Sequence, residues 1–179
     1  MTGDAGAAAP QRHFLALCPD ARARAQLQQL PVPEGARRVH PADLHVTLAF
    51  LGSLDPDGEA GALQVGATVR GGPLTVRLER LEYWAGPAIL CAAAGPGGDP
   101  VAPFARALAP VLAQAGFPAA DKAFRAHVTL ARKVPPGAGA STELPQSISW
   151  LSAELALLAS LGGDAVPRYV ERGRVALWS

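Results

Sequence analysis

A chain of 179 residues with 49% hydrophobic and 17% charged side chains can fill one core, or two small lobes sharing a cleft, and is not disordered by composition. Its net charge of +1 argues against a general duplex-binding protein, whose domain would be strongly basic, while leaving room for a local anion site. No stretch approaches the roughly 18 apolar residues that span a bilayer, and Met1 to Pro10 lacks the apolar run of a secretory leader, so a soluble cytoplasmic protein is expected.

In chain order, His13 to Cys18 (HFLALC) reads as a buried strand, and Asp20 caps a helix through Leu30 that Pro31, Pro33 and Gly35 stop. Arg37 to His40 is a short strand, Pro41 and Asp43 a turn, and Leu44 to Leu51 a clear strand. Asp55 to Arg70 predicts a helix. Leu74 to Trp84 and Ala88 to Ala94 predict a hairpin about Gly86-Pro87. The Gly/Pro-rich stretch Gly95 to Pro100 separates two half-domains, roughly 12–94 and 99–178, of one domain spanning 1–179. Val101 to Gly116 is a helix that Pro110 should kink or split. Phe124 to Val134 contains a strand, Pro135 to Pro145 a long loop suited to a lid, and Ile148 to Ser160 and Arg168 to Trp178 a strand pair. Cys18 and Cys91 sit in no C-x-x-C or ligand-like cluster and read as reduced, buried strand residues.

The sequence repeats itself. His45-Val46-Thr47-Leu48-Ala49 and His127-Val128-Thr129-Leu130-Ala131 are the same five residues, 127 − 45 = 82 positions apart. In strands, alternation points His45, Thr47 and Ala49 one way and Val46, Leu48 and Phe50 the other. The second copy splits likewise, with His127, Thr129 and Ala131 on one face. A duplicated half closing about a pseudo-two-fold axis would bring both His/Thr faces to one groove. Two imidazoles can then serve as base and acid near neutral pH, and two hydroxyls can donate to an anionic oxygen. Three or more ligands would be wanted for a metal, and no Cys or second His stands beside either copy.

These two H-x-T-x motifs, with the flanking Asp43 to Gly52 and Phe124 to Arg132, resemble the two-histidine phosphoesterase superfamily, closest to its RNA 2′,3′-cyclic phosphodiesterase (2′-5′ RNA ligase-like) family. Arg12 to Leu17 resembles that family's opening strand, and Ala126 departs from its pattern, which often has proline there. The resemblance implies an α+β bilobal fold with two antiparallel sheets lining a central groove and helices outside. It implies hydrolysis of terminal 2′,3′-cyclic phosphate to 2′-phosphate without metal or cofactor. His45 would be the proton donor to the departing O3′, His127 the proton acceptor activating water, and Thr47, Thr129 and Arg132 the substrate-binding residues. The partners implied are RNA 3′ ends or small nucleotides carrying the cyclic phosphate, with no membrane and a monomeric protein.

Other readings compete. The same groups could run the reaction backwards as 2′-5′ RNA end joining, and a binding module without turnover would use the same surface. His13 reads as structural, His40 as a turn residue, and Phe50, by parity, as core. Arg125 is open between solvent and phosphate, and Tyr83, Trp84, Phe124 and Trp150 are the candidates to stack on a base.

Overall fold

A computed structural model describes residues 11–118, 123–138, 141–162 and 164–178. Met1 to Pro10, Lys122, Gly163 and residues 139–140 of the expected lid lie outside them. The described chain runs β1 (Arg12–Leu17), α1 (Ala21–Gln29), β2 (Arg37–Arg38), a 3-10 turn (Pro41–Asp43), β3 (Val46–Ser53), α2 (Pro56–Thr68), β4 (Leu74–Trp84) and β5 (Ile89–Ala93). It continues through α3 (Ala102–Gln114), β6 (His127–Arg132), β7 (Thr142–Ser152), β8 (Glu154–Ser160) and β9 (Tyr169–Ala176). The α+β class expected from the sequence is the observed one.

Two helices begin where aspartates can satisfy the free N–H groups of a first turn. Asp20 Oδ1 accepts from Ala23 N at 2.7 Å, and Asp55 Oδ1 accepts from Gly58 N at 2.8 Å. Helix α3 runs on through Pro110 and does not divide into the two pieces that the proline allowed.

The strands hydrogen-bond in the order β7-β4-β5-β6-β3-β1-β8-β9, with β2 paired to β6. All pairings are antiparallel. The path is two four-stranded blocks, β7-β4-β5-β6 and β3-β1-β8-β9, joined through a single residue pair, Val46 with Val128. Each block takes two strands from before the Gly95 to Pro100 break and two from after it. The segment expected as one strand, Ile148 to Ser160, divides at Ala153: β7 pairs with β4, and β8 crosses to pair with β1 and β9. Strand β7 also starts earlier than expected, taking Thr142 to Pro145 out of the loop. Pro145 is tolerated because β7 is an edge strand.

The main core lies on the helix side of the strands. Leu15, Leu17, Val46, Leu48, Val128 and Leu130 pack there with Ala23 and Leu27 of α1, Ala62 of α2 and Phe104, Leu108 and Leu112 of α3. A smaller cluster of Phe14, Ala16, Ala156 and Leu158, flanked by Cys18 and Tyr169, covers the other face of the β1/β8 pair. Both cysteines are free; Cys91 is buried in β5 and Cys18 is partly buried just past β1. No helix among the described residues is long and apolar enough to cross a membrane.

Candidate active site

The seam between the blocks carries both motifs. His45 immediately precedes β3 and His127 opens β6. Extending the Val46–Val128 register one residue each way sets His45 across from Thr129 and Thr47 across from His127. Side chains directly opposed on antiparallel strands stand about 5 Å apart at Cβ. The four side chains therefore form a compact patch on one face of the seam. All four are partly exposed, while Val46 and Val128 beneath them are fully buried.

Strict alternation then fails at the same place in both motifs. On β3, Ala16 pairs with Thr47 and Leu15 with Ala49, leaving Leu48 without a partner on β1. On β6, Cys91 pairs with Thr129 and Leu90 with Ala131, leaving Leu130 without a partner on β5. Each bulge inserts one residue and inverts the parity after it. Ala49 and Ala131, expected beside the histidines, instead pack with the core. Phe50 and Arg132, each five residues past a histidine, turn onto the His/Thr face. Phe50, expected in the core, is 69% exposed and lies 6.0 Å from Phe14, ring to ring. Sequence parity missed it. The repeat itself held the clue, since Phe50 stands where the second motif has Arg132.

Both imidazoles are held by the backbone two residues upstream. His45 Nδ1–H donates to the Asp43 carbonyl at 2.7 Å, and His127 Nδ1–H donates to the Arg125 carbonyl at 2.9 Å. That fixes the tautomer and turns the Nε2 lone pair to the open face in each. The Thr47 hydroxyl donates to His45 Nε2 at 3.0 Å. Around His45 the walls are aromatic: Phe14 at 4.8 Å and Tyr169 edge-on at 5.2 Å. Around His127 they are polar. Trp84 lies at 4.5 Å, and its Nε1–H donates to Glu82, a buried carboxylate that also takes both terminal nitrogens of Arg125, at 2.7 and 3.0 Å.

The comparisons with known proteins fall on this arrangement. The family described as LigT like Phosphoesterase matches residues 20–89, which include the first motif and stop short of the second. A crystal structure titled as a phosphoesterase superposes with a TM-score of 0.80 at 26% identity, covering 96% of this chain and 100% of that one. E. coli LigT complexed with 3′-AMP superposes with a TM-score of 0.80 at 26% identity, covering 94% and 99%. TT0787 of Thermus thermophilus follows with a TM-score of 0.71 at 25% identity, covering 93% and 97%. No curated protein matches the chain by sequence.

The chain is similar to the two-histidine phosphoesterases, in sequence over the first motif and in fold over nearly its whole length. In this site, burial pushes the His45 imidazole down to about 4, with the Arg132 and His127 charges acting the same way against the pull of Asp43. His127 is also lowered, chiefly by burial and then by the Arg125 charge, against the Arg125 carbonyl and the Asp99 and Glu82 charges. Both rings are therefore neutral in the empty site near pH 7, each able to accept a proton at Nε2. An anion bound between them favours the imidazolium forms.

The remaining candidates sort by contact. Arg125 is exposed, but its guanidinium is spent on Glu82 and the Ala94 carbonyl, the latter at 2.6 and 3.1 Å. Burial alone would raise Glu82, but the Arg125 and Trp84 hydrogen bonds and the Arg125 and Arg80 charges hold it below its ordinary range. His13 is buried and structural: its Nε2–H donates to Glu59 at 2.9 Å and its Nδ1 accepts from Leu54 N at 3.2 Å. His40 caps the 3-10 turn, accepting from Ala42 N at 3.2 Å. Of the stacking candidates, Trp150 is buried, Tyr83 and Phe124 are partly buried against the main core, and Trp84 is engaged by His127. Among the described residues no group of three or more His, Cys, Asp or Glu side chains is placed to hold a metal ion.

Proposed function

We propose that this protein is a phosphoesterase that hydrolyses terminal 2′,3′-cyclic phosphates of RNA or nucleotides to 2′-phosphates, acting as a cytoplasmic monomer without metal or cofactor. One observation carries the reading: two imidazoles with outward Nε2 atoms, each across from a threonine hydroxyl, occupy one patch on paired strands. A phosphate seated there receives hydroxyl hydrogen bonds from Thr47 and Thr129 and the charge of Arg132. E. coli LigT, alike in fold, has been crystallised with 3′-AMP, with phosphate and with NADP+. That supports a nucleotide ligand here.

In the proposed step, water attacks phosphorus in line with the P–O3′ bond. His127 Nε2 takes the water proton, His45 Nε2–H gives one to the departing O3′, and the product keeps its phosphate on O2′. His127 suits the base role because the Asp99 and Glu82 charges favour the imidazolium that forms when it takes the proton. His45, enclosed by Phe14 and Tyr169, takes its proton from solvent, the bound anion stabilises the imidazolium, and burial keeps that imidazolium acidic enough to protonate O3′. The nucleoside would lie over Phe50, the exposed aromatic on the same face.

His45→Ala and His127→Ala should each lower turnover of adenosine 2′,3′-cyclic phosphate by at least about a hundredfold while the circular dichroism stays native. Wild-type turnover should survive EDTA. Activity that persists in both variants, or vanishes on chelation, sinks the proposal. Mostly joined product from a cyclic-phosphate RNA and a 5′-hydroxyl RNA would instead make ligation the main activity. Tight binding with no product would make the protein a binding module.

A further inference from the structure

We propose that Asp99 is a positioning residue for His127, acting through the Arg125–Ala126 peptide group that lies between them. This deepens the functional reading above and rests on it for the role of His127 as the base. Asp99 Oδ2 accepts from the Ala126 N–H at 2.6 Å. The carbonyl of that same peptide group is Arg125's, and it accepts from His127 Nδ1–H at 2.9 Å. In a trans peptide the N–H and the C=O point in opposite directions. One line of hydrogen bonds therefore runs from carboxylate through amide to imidazole, with the Nε2 lone pair at its far end. A negative charge on the N–H side polarises the amide and makes its oxygen a stronger acceptor, as successive hydrogen bonds reinforce one another. A stronger acceptor at Nδ1–H holds the ring in one tautomer and makes Nε2 more basic, as a carboxylate bonded directly to a histidine does.

The peptide is fixed from both ends. The Ala126 carbonyl accepts from the Ala94 N–H at 2.9 Å, and the Arg125 guanidinium donates to the Ala94 carbonyl. Asp99 is itself held, its Oδ1 accepting from the Val101 N–H at 3.0 Å at the entry to α3. Ala126 is fully buried, so water does not compete for its N–H. The first motif lacks this link. The peptide that holds His45 joins Asp43 to Leu44, and its N–H reaches the neutral Pro41 carbonyl at 3.4 Å. The Asp43 carboxylate turns away to the β9 entry. The repeat is thus asymmetric at the bond that tunes each histidine, and the copy backed by a carboxylate is His127. The other charged or titratable groups facing His127 are Glu82 and Arg80 of β4, paired with each other, Arg125 on its own approach, and His45 across the seam. Of the two carboxylates, Asp99 is the one bonded to the amide that holds the ring.

Magnetic resonance of the histidine rings and of the Ala126 amide reads this link without turnover. In wild-type protein the Ala126 amide proton should move downfield as His127 takes up a proton, because a stronger bond at the carbonyl strengthens the one at the N–H. In Asp99→Asn the His127 titration midpoint should fall by about half a pH unit, with a smaller change at His45. Its kcat should fall about threefold to tenfold with KM within about twofold. Asp57→Asn, which removes an exposed acid of α2, should move neither midpoint. Ala126→Pro removes the N–H and keeps the carboxylate, so adding Asp99→Asn to it should shift His127 much less than in wild type. An Ala126 amide that ignores His127 protonation, a His127 midpoint unmoved in Asp99→Asn, or an equal shift in both backgrounds overturns the proposal, and the first of these needs no variant to fold. If His127 responds as stated but no cyclic phosphate is hydrolysed, the link stands and the hydrolase reading falls. Hydrolysis with an indifferent His127 keeps the hydrolase reading and removes the link.

Discussion

Asp43 and Arg125, the residues two before each seam histidine, grip that histidine identically through their carbonyls while their side chains, opposite in charge, are anchored by different means. The Asp43 carboxylate is buried and takes the backbone N–H groups of Arg168 at 2.9 Å and Tyr169 at 3.1 Å. The Arg125 guanidinium is forked onto Glu82. The duplicated motif is thus set into two unlike frames. An aromatic wall reaches His45 through Tyr169, and a polar network reaches His127 through Glu82.

Glu82 touches no substrate in the proposed complex, yet it anchors both Arg125, whose carbonyl holds His127, and Trp84, whose ring packs on it. Glu82→Gln keeps the shape and removes the charge from this positioning residue. Loosening a reacting group by a fraction of an ångström costs about tenfold or more. Steady-state kinetics should show kcat falling by about that factor with KM within about twofold. An unchanged kcat in a natively folded variant would show that Arg125 and Trp84 hold their places unaided.

Asp43→Asn leaves two backbone donors competing for one amide oxygen in a buried position. The unmet N–H should cost about 2 kcal/mol, or roughly 6 °C of melting temperature in a chain this size. It should also release Tyr169 from the His45 ring. Thermal denaturation checks the first effect. A melting temperature within a degree of wild type would mean that the β9 entry is held by other contacts.

Much of this was legible in the residues. Asp20 and Asp55 declare their helices by capping chemistry, and the repeated His-x-Thr strands meet because each has one wholly apolar face to bury against the helices. The bulges at Leu48 and Leu130 were not legible. Each falls within Leu-Ala, where either residue satisfies the core, so the hydrophobic pattern does not reveal which is the extra one. Strict alternation therefore puts Phe50 in the core and Ala49 and Ala131 on the site face, the reverse of where they lie. The crossing at Ala153 was hidden for a similar reason. Ile148 to Ser160 is a continuous apolar-rich run, and the choice of a different partner for β8 depends on long-range pairing that local sequence does not encode. Pro110 misled in the opposite direction: tertiary packing of Phe104, Leu108 and Leu112 keeps α3 whole despite the lost hydrogen bond.

The bulge makes a functional prediction about Phe50. A phenylalanine 69% exposed on the site face has apolar area to offer a ligand and little role in the core. Stacking a base on it contributes about 1–3 kcal/mol. Wild-type protein should prefer adenosine 2′,3′-cyclic phosphate to glycerol cyclic phosphate, which has no base, and Phe50→Ala should shrink that preference in kcat/KM about tenfold, with Phe50→Trp restoring it. A preference that survives Phe50→Ala would move the base to another surface.

Acidity of the two rings sets the pH dependence. Catalysis needs one imidazole protonated and the other neutral, so kcat/KM, which reports the free protein, peaks between the two apparent values of the coupled pair. His45 is lowered to about 4 and His127 is lowered from its ordinary value near 6.5. Above both values the required proton is missing; below both, the base is gone. The kcat/KM optimum should therefore lie between about pH 4 and 6.5. Bound phosphate, being anionic, favours imidazolium and raises both values, so the kcat optimum should lie at higher pH than that of kcat/KM. Glu82→Gln removes a negative charge that supports protonation of His127, so it should move that ring's limb of the kcat/KM profile to lower pH. Profiles of initial rate against pH at low and saturating substrate test all three statements. A kcat/KM optimum above pH 8 would be incompatible with these burial-depressed histidines as the acid and base.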